Sequence, residues 1–129
     1  MRIQEASIES GMPAKTIRFY ESIGILPPAA RAANGYRTFD QQDVRTLKFI
    51  QRARDLGFPI DDIQKLLSLW QDKSRASADV KALAMEHVRE IDGKIKQLES
   101  VKHAVMHLAR RCHGDDRPDC PILSELAEE

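Results

Sequence analysis

The chain has 129 residues, only two cysteines and a formal net charge of zero, with 20 basic and 20 acidic side chains. This length favours one domain, or one small domain with an appendage. No apolar run is long enough to cross a bilayer and the start, MRIQEASIES, lacks a signal peptide's apolar stretch, so we expect a cytoplasmic protein without membrane contact. Thiols stay reduced there, so the two cysteines indicate metal or redox chemistry more than a structural disulfide.

The charges are unevenly distributed along the chain. Residues 13–54 carry eight Lys or Arg and three acidic residues, whereas residues 59–129 carry eleven basic and fourteen acidic residues. A basic front and an acidic rear are expected when one segment binds an anionic partner, although many solvated surfaces share this pattern.

Two short helices separated by a glycine are predicted first. The segment IQEASIES ends at Gly11, Pro13 suits the first turn of the next helix, and that helix, AKTIRFYESIG, stops at Gly24. This is the helix-turn-helix arrangement, which ordinary packing units also show. The following segment contains Asn34-Gly35, a strong hairpin signal, and predicts a β-hairpin wing with a short strand at Tyr36, Thr38 and Phe39.

Two further helices are predicted between residues 40 and 71. Asp40 is expected to cap the third, with Asp43 at its third position, and Gly57 to end it; Pro59 starts the fourth. The 3.6-residue periodicity predicts inward-facing apolar residues in both helices: Val44, Leu47, Ile50, Ala53, Leu56, Ile60, Ile63, Leu66, Leu67 and Trp70.

Residues 77–111 are predicted to form one long helix. Its apolar residues recur at spacings of three and four: Val88, Ile91, Ile95, Leu98, Val101, Val105 and Leu108. About 30 helical residues span about 45 Å, which the front helices cannot cover, so a partner helix in a coiled coil is expected. The chain is therefore predicted to form a homodimer, and the pattern leaves open whether the long helices are parallel or antiparallel.

The second helix offers side chains that can reach DNA. A guanidinium can bond a guanine edge with two hydrogen bonds, so Arg18 is the best candidate for reading a base. The alternative is a solvated basic face on which Tyr20 and Tyr36 are packing residues. We favour double-stranded DNA, because helix, turn, helix and wing all carry basic side chains. The predicted DNA-binding residues are Lys15, Thr16, Arg18, Tyr20, Arg31, Tyr36, Arg37 and Arg54.

Cys112 and Cys120 lie in one polar loop, RCHGDDRPDCPIL. A disulfide is not expected, because the cytosol keeps thiols reduced, and two buried structural thiols are not expected in so polar a loop. Iron–sulfur clusters and zinc normally need more than two ligands. Two thiolates satisfy a soft monovalent ion such as Cu(I). Pro121 suits a first helical residue, so Cys120 is expected to be the N-cap of a short final helix, PILSEL, whose positive end lowers the pKa of the thiol. Metal roles for His113 or the His103–His107 pair stay open.

The segments KTIRFYESIGIL, NGYRTF and RARDLGFPIDDI resemble the mercury-resistance-regulator (MerR) family of winged-helix transcription factors, and the match covers nearly the whole chain. The chain departs from the family pattern at Pro13 and Ala6. The resemblance implies a mainly α fold with a winged helix-turn-helix head (residues 1–70), an antiparallel dimerisation helix (77–111), and a metal-binding loop with a terminal helix (112–129). It also implies a homodimer that remodels promoter DNA for RNA polymerase.

The C-x7-C spacing followed by Pro-Ile resembles the copper-responsive (CueR-like) branch of that family, in which two cysteines bind a coinage metal. Ser77 is a plausible N-cap of the long helix. The resemblance adds a second role, because relatives that respond to divalent metals carry cysteine at the matching position, so a serine there implies a preference for Cu(I), Ag(I) or Au(I). For Lys81, one turn later, two interpretations stay open: it balances the remaining charge of the bis-thiolate complex, or it is an ordinary exposed helix lysine.

These observations predict a metal-responsive transcriptional activator of efflux or detoxification genes. No nucleophile–base pair and no phosphate-cradling glycine loop is apparent, so an enzyme is not expected. Three alternatives remain open: a thiol redox sensor, a zinc or cadmium sensor, and a copper store or chaperone in which the helical head is only a scaffold.

Overall fold

The computed structural model describes residues 1–26 and 37–128. These residues form six helices in chain order: α1 (Ile3–Ser10), α2 (Ala14–Ser22), α3 (Gln41–Asp55), α4 (Ile60–Gln71), α5 (Ser77–Arg111) and α6 (Pro121–Leu126). The mainly helical fold predicted from the sequence is confirmed. The chain divides into two compact units, Met1–Leu83 and Ala84–Glu129, with the first residues of α5 in the first unit.

The turn between α1 and α2 follows from local chemistry. Gly11 has a φ of 78°, a left-handed conformation that favours glycine, and its N–H donates to the carbonyl of Ser7 at 2.9 Å. Met12 is fully buried, and its N–H donates to the Ser10 hydroxyl at 3.2 Å. Pro13 precedes α2 with an extended ψ of 143°, so it lies just before the helix rather than within its first turn.

A reciprocal cap starts α3, as predicted. The N–H of Asp43 donates to the Asp40 carboxylate at 2.8 Å, and the N–H of Asp40 donates to the Asp43 carboxylate at 3.0 Å. Each carboxylate thus satisfies a backbone donor that has no partner inside the helix. The acceptance of hydrogen bonds, first from the Asp43 N–H, lowers the pKa of Asp40.

The core of the first unit lies where α1 packs against α2 and α3, and α3 packs against α4. Two residues predicted to face inward are instead exposed. Leu56 is 66% exposed because α3 ends at Asp55, and Ile60 is 37% exposed because it is the first residue of α4. The buried core cluster consists of Ala6, Met12, Ile17, Tyr20, Ile25, Leu26, Phe39, Leu47, Ile50, Ala53, Ile63 and Leu67.

The predicted β-hairpin at Asn34-Gly35, including Tyr36, lies outside the described residues. Arg37 occupies a single bridge position, and the strand expected through Thr38 and Phe39 does not form. Phe39 instead exchanges two hydrogen bonds of 2.7 Å with Met1, one in each direction. This pairing cannot extend, because the chain enters α1 two residues later, at Ile3.

Helix α5 contains 35 residues, about 52 Å at 1.5 Å per residue. Within the second unit, its apolar stripe faces solvent in the single chain. Exposure is 43% for Val88, 38% for Ile91, 47% for Ile95 and 68% for Leu98, and 54% for both Val101 and Val105. We call these six residues the α5 stripe. No helix among residues 1–26 and 37–128 combines the length and apolar character needed to span a membrane.

Candidate functional site

One concave surface of the head gathers predicted DNA-binding residues from two helices. Lys15 and Thr16 come from α2 and Arg54 from the end of α3, and they line a cavity of about 680 Å³ whose other wall is the start of α4. Lys15 and Arg54 are exposed, as a phosphate ligand must be. The fold therefore brings Arg54 to the same surface as Lys15 and Thr16, which lie much earlier in the sequence.

Tyr20 lines the same cavity but belongs mainly to the core. It is 3% exposed, and the centroid of its ring lies 5.6 Å from that of the Phe19 ring. The Arg54 guanidinium lies 5.7 Å from the centroid of the Tyr20 ring. The packing role that the sequence left as an alternative thus holds for the Tyr20 ring.

Arg18 is exposed on α2 and lines a second cavity of about 540 Å³, together with Glu21, Arg37 and Phe39. The Arg37 side chain is only 10% exposed, forms an ion pair with Glu21, and lies 4.5 Å over the Phe39 ring. Burial lowers the pKa of the Arg37 guanidinium, and the Asp43 carboxylate opposes this shift. Arg31 and Tyr36, the other predicted wing contacts, lie outside the described residues.

In the second unit, the two thiols lie close together. Cys112 directly follows α5 and Cys120 directly precedes α6, and their Sγ atoms are 3.8 Å apart, with both cysteines reduced and half-buried. The loop between them is shaped by Gly114, with a φ of 68°, and by a turn in which the Asp115 carboxylate accepts two hydrogen bonds of 2.9 Å from Arg117. This polar loop returns the chain, so that the two sulfurs meet at its base.

The start of α6 acts on Cys120 as the sequence predicts. Pro121 is the first helical residue and Cys120 is the N-cap. Hydrogen bonding from the backbone N–H of Leu123, and then from that of Ile122 and the Cys112 thiol, lowers the pKa of Cys120, while burial opposes the shift. A larger thiolate fraction at neutral pH follows, and the thiolate is the form that binds metals and attacks electrophiles.

Sequence reasoning missed several neighbours of these sites. Glu21, the partner of Arg37, is the only acidic residue of α2. Its position three residues after Arg18 was the one feature of the sequence that could have identified it as part of the site. Arg111, Ser124 and Glu125 line a cavity of about 320 Å³ together with Cys120. Their proximity depends on the return of the loop and is not visible in a linear pattern.

Ser77 and Lys81 lie on the first turns of α5, and both are exposed. Ser77 is the first helical residue rather than the residue before the helix, so the predicted capping position shifts to Ala76, whose carbonyl accepts from the Asp79 N–H at 3.1 Å. A spacing of four residues places Ser77 and Lys81 on one face of the helix.

Two family models match the chain: "MerR HTH family regulatory protein" over residues 1–70 and "MerR, DNA binding" over residues 44–108. The chain belongs to the MerR family. Its MerR relatives are transcription regulators, and this chain is accordingly a MerR-family regulator rather than an enzyme. The resemblance noted in the sequence is confirmed.

Two regulators and one crystal structure illustrate the relationship. The HTH-type transcriptional regulator HmrR of Sinorhizobium medicae is 54% identical over 128 residues, covering 99% of this chain and 87% of that protein. The regulator CueR of Escherichia coli O6:H1 is 40% identical over 127 residues, covering 98% and 94%. The regulator PbrR691 of Ralstonia metallidurans CH34, whose crystal structure is in complex with lead(II), has a TM-score of 0.85 at 33% identity, with 98% of both chains covered.

Proposed function

We propose that this MerR-family regulator senses a monovalent coinage metal, Cu(I) or also Ag(I) or Au(I), through Cys112 and Cys120, and activates transcription in response. The observation that carries the proposal is the pair of reduced sulfurs 3.8 Å apart, formed by the only two cysteines of the chain. Relatives called HmrR, CueR and "Heavy metal-dependent transcription regulator 2" support a metal effector.

The donor set fits a soft ion that accepts few ligands. Two thiolates complete the coordination of Cu(I), whereas a structural Zn(II) site takes four protein ligands and a catalytic site three. A linear two-coordinate ion needs its two sulfurs at twice the metal–sulfur bond length, which exceeds 3.8 Å, so the observed separation corresponds to a bent arrangement. Side-chain rotation of the two half-buried cysteines can supply this difference, so the preference for a monovalent ion rests on the number of ligands rather than on the distance between the sulfurs.

Charge selectivity is proposed to depend on Ser77. In the antiparallel dimer that the family resemblance implies, the start of α5 from one subunit lies against the metal loop of the other. A hydroxyl at residue 77 adds no negative charge, so a monovalent ion leaves a complex of charge −1 that the Lys81 ammonium can balance. A third thiolate would instead favour a divalent ion. We therefore expect Ser77→Cys to weaken the discrimination against Zn(II).

The head is proposed to bind promoter DNA. Arg18 is exposed on α2, where it can reach a base edge, and Lys15, Thr16 and Arg54 share one cavity wall, where they can hold phosphates. We also assign contacts with the DNA backbone to Arg31, Tyr36 and the hydroxyl of Tyr20. Metal is proposed to change the shape of the bound DNA more than its occupancy, so that RNA polymerase engages the promoter.

The protein is proposed to act in the cytoplasm as a homodimer joined through the α5 stripe. An apolar stripe of six residues, each more than a third exposed in the single chain, needs a partner surface. A dimer places two recognition helices on half-sites related by a twofold axis.

A metal titration tests the proposal. We expect Ag(I), or Cu(I) in competition with a coloured Cu(I) chelator, to bind with one equivalent per subunit and to give a thiolate-to-metal absorption band. Cys112→Ser and Cys120→Ser should each lose the band, while His103→Ala, a matched change on the exposed face of α5, should keep it. Tight binding that survives in either cysteine variant would refute the ligand assignment.

The closeness of the two thiols also favours a second candidate function, a redox switch. Disulfide formation requires the sulfurs to approach from 3.8 Å to about 2.05 Å. A redox sensor would respond to oxidant in the absence of metal, whereas a metal sensor would respond to Ag(I), which does not oxidise the pair to a disulfide, under reducing conditions.

A further inference from the structure

Arg37 was predicted from the sequence to be a DNA-binding residue, and a basic residue of the wing would ordinarily hold a phosphate, but its side chain is enclosed by the protein. It is 10% exposed, pairs with the carboxylate of Glu21, and lies 4.5 Å over the ring of Phe39. The carboxylate of Asp43 is near enough to favour its charged form. Two acidic side chains and an aromatic face therefore surround this cation in the protein without DNA.

These surroundings disfavour a phosphate ligand. A phosphate would have to compete with Glu21, and removal of the guanidinium from the pair would leave a carboxylate that is only 29% exposed without its partner. Separation of the pair is unfavourable, because the enclosed Arg37 guanidinium and the half-buried Glu21 carboxylate would each lose a counter-charge. The exposed Lys15 carries no such constraint.

The ion pair connects two parts of the head that are distant in sequence. Glu21 lies three residues after Arg18, in the last turn of α2, and Arg37 lies three residues before Asp40, the N-cap of α3. Arg18, Glu21 and Arg37 line one cavity. The contact therefore restrains the end of the recognition helix, and with it the backbone that carries Arg18, relative to the start of α3.

We propose that Arg37 is a positioning residue for DNA recognition: its ion pair with Glu21 orients α2, and it does not neutralise a phosphate. This inference rests on the proposed DNA-binding function of the head. It makes Glu21, an acidic residue at a surface that binds an anionic polymer, a contributor to affinity and sequence preference.

The salt dependence of binding distinguishes the two roles of Arg37. Each phosphate contact contributes about 0.9 to the slope of log Kd against log salt concentration, so a phosphate ligand present twice in a dimer contributes about 1.8. We expect Arg37→Gln in the full-length protein to leave the slope unchanged, and Lys15→Gln, the matched control, to reduce it. The probe is a duplex selected by the unmodified protein from a random library, with a scrambled duplex for comparison.

Substitution of Glu21 should change the affinity for DNA in opposite directions under the two roles considered for Arg37. Under the proposal, Glu21→Gln breaks the same link as Arg37→Gln, so both variants should bind the selected duplex on the order of tenfold more weakly and discriminate less against the scrambled one. The double variant should be no weaker than either single variant, because both changes remove one interaction. If Arg37 binds phosphate, Glu21→Gln removes a competing negative charge and should tighten binding.

Three outcomes would overturn the proposal: a slope that falls by about one or more in Arg37→Gln, tighter binding by Glu21→Gln, or strictly additive losses in the double variant. A loss of folded protein alone lowers the active fraction without changing the slope or the discrimination, so it is not mistaken for the predicted effect. If the unmodified protein selects no duplex, the proposed DNA-binding function fails instead, and the two failures are distinguishable.

Discussion

Truncation of Leu98 to alanine tests whether the α5 stripe joins two subunits. Leu98 is 68% exposed in the single chain, so about two thirds of its side chain is available to a partner. Full burial of a leucine side chain stabilises by about 1.5–3 kcal/mol, which gives about 1–2 kcal/mol per subunit and about 2–4 kcal/mol for a twofold dimer. At about 1.4 kcal/mol per tenfold change, Leu98→Ala should raise the dimer dissociation constant roughly 30- to 700-fold.

Sedimentation of fluorescently labelled protein over a concentration series measures this constant. Leucine and alanine have similar helix propensities, so the change does not act through the helix itself. Gln97→Ala is the matched control, because residue 97 is exposed and lies outside the stripe. A dissociation constant that is unchanged in Leu98→Ala, or raised equally in Gln97→Ala, would refute the assignment of the stripe as the dimer interface.

Three further predictions concern single side chains. Arg18→Ala should cost about 1–3 kcal/mol of specific binding and relax the preference for one base pair, as measured with duplexes substituted at each position. The lowered pKa of Asp40 means that its capping contribution is present above its unfolded pKa of about 3.9 and is lost as pH falls through the lower folded value. Asp40→Asn keeps an acceptor oxygen and should reduce the difference in melting temperature between pH 7 and pH 3. Cys112→Ala, which removes the side-chain donor, should raise the pKa of Cys120, measured from its alkylation rate against pH, yet leave it below the ordinary value because two backbone N–H groups remain.

Each of these has a contradicting result. An Arg18→Ala variant with unchanged base preference would remove Arg18 from the base-reading role. An equal acid sensitivity in Asp40→Asn would show that other groups govern unfolding at low pH. Alkylation of Cys120 at the rate of an ordinary thiol in the otherwise unmodified protein would contradict the stabilisation of its thiolate by the start of α6.

Features that depend on a few neighbouring residues were predictable from the sequence. The cap formed by Asp40 and Asp43, the turn at Gly11 and the start of α6 at Cys120 each follow from chemistry within a few positions. The length of α5 was predictable for a similar reason, since its apolar period runs from Val88 to Leu108 and residues 77–111 contain no proline. Local hydrogen bonding and backbone preference decide all of these features.

Features that depend on distant residues were not predictable in the same way. Arg37 and Glu21 are 16 positions apart, and a basic residue beside a wing gives no sign that a carboxylate will enclose it. The period of α3 assigned Leu56 to the core, but the helix ends one residue earlier. Tyr20 was ambiguous between packing and binding, because an amphipathic ring suits both, and only the tertiary contacts place its ring in the core.

In vitro transcription tests the central claim most directly. The template carries the selected operator in the spacer of a promoter, and purified RNA polymerase is added with the protein and either Ag(I) or Zn(II) under reducing conditions. We expect Ag(I) to raise transcript yield and Zn(II) to leave it unchanged, with Cys112→Ser and Cys120→Ser bound to the promoter but inactive. Activation by Zn(II) without a response to Ag(I), or metal-driven activation that persists in either cysteine variant, would contradict the account.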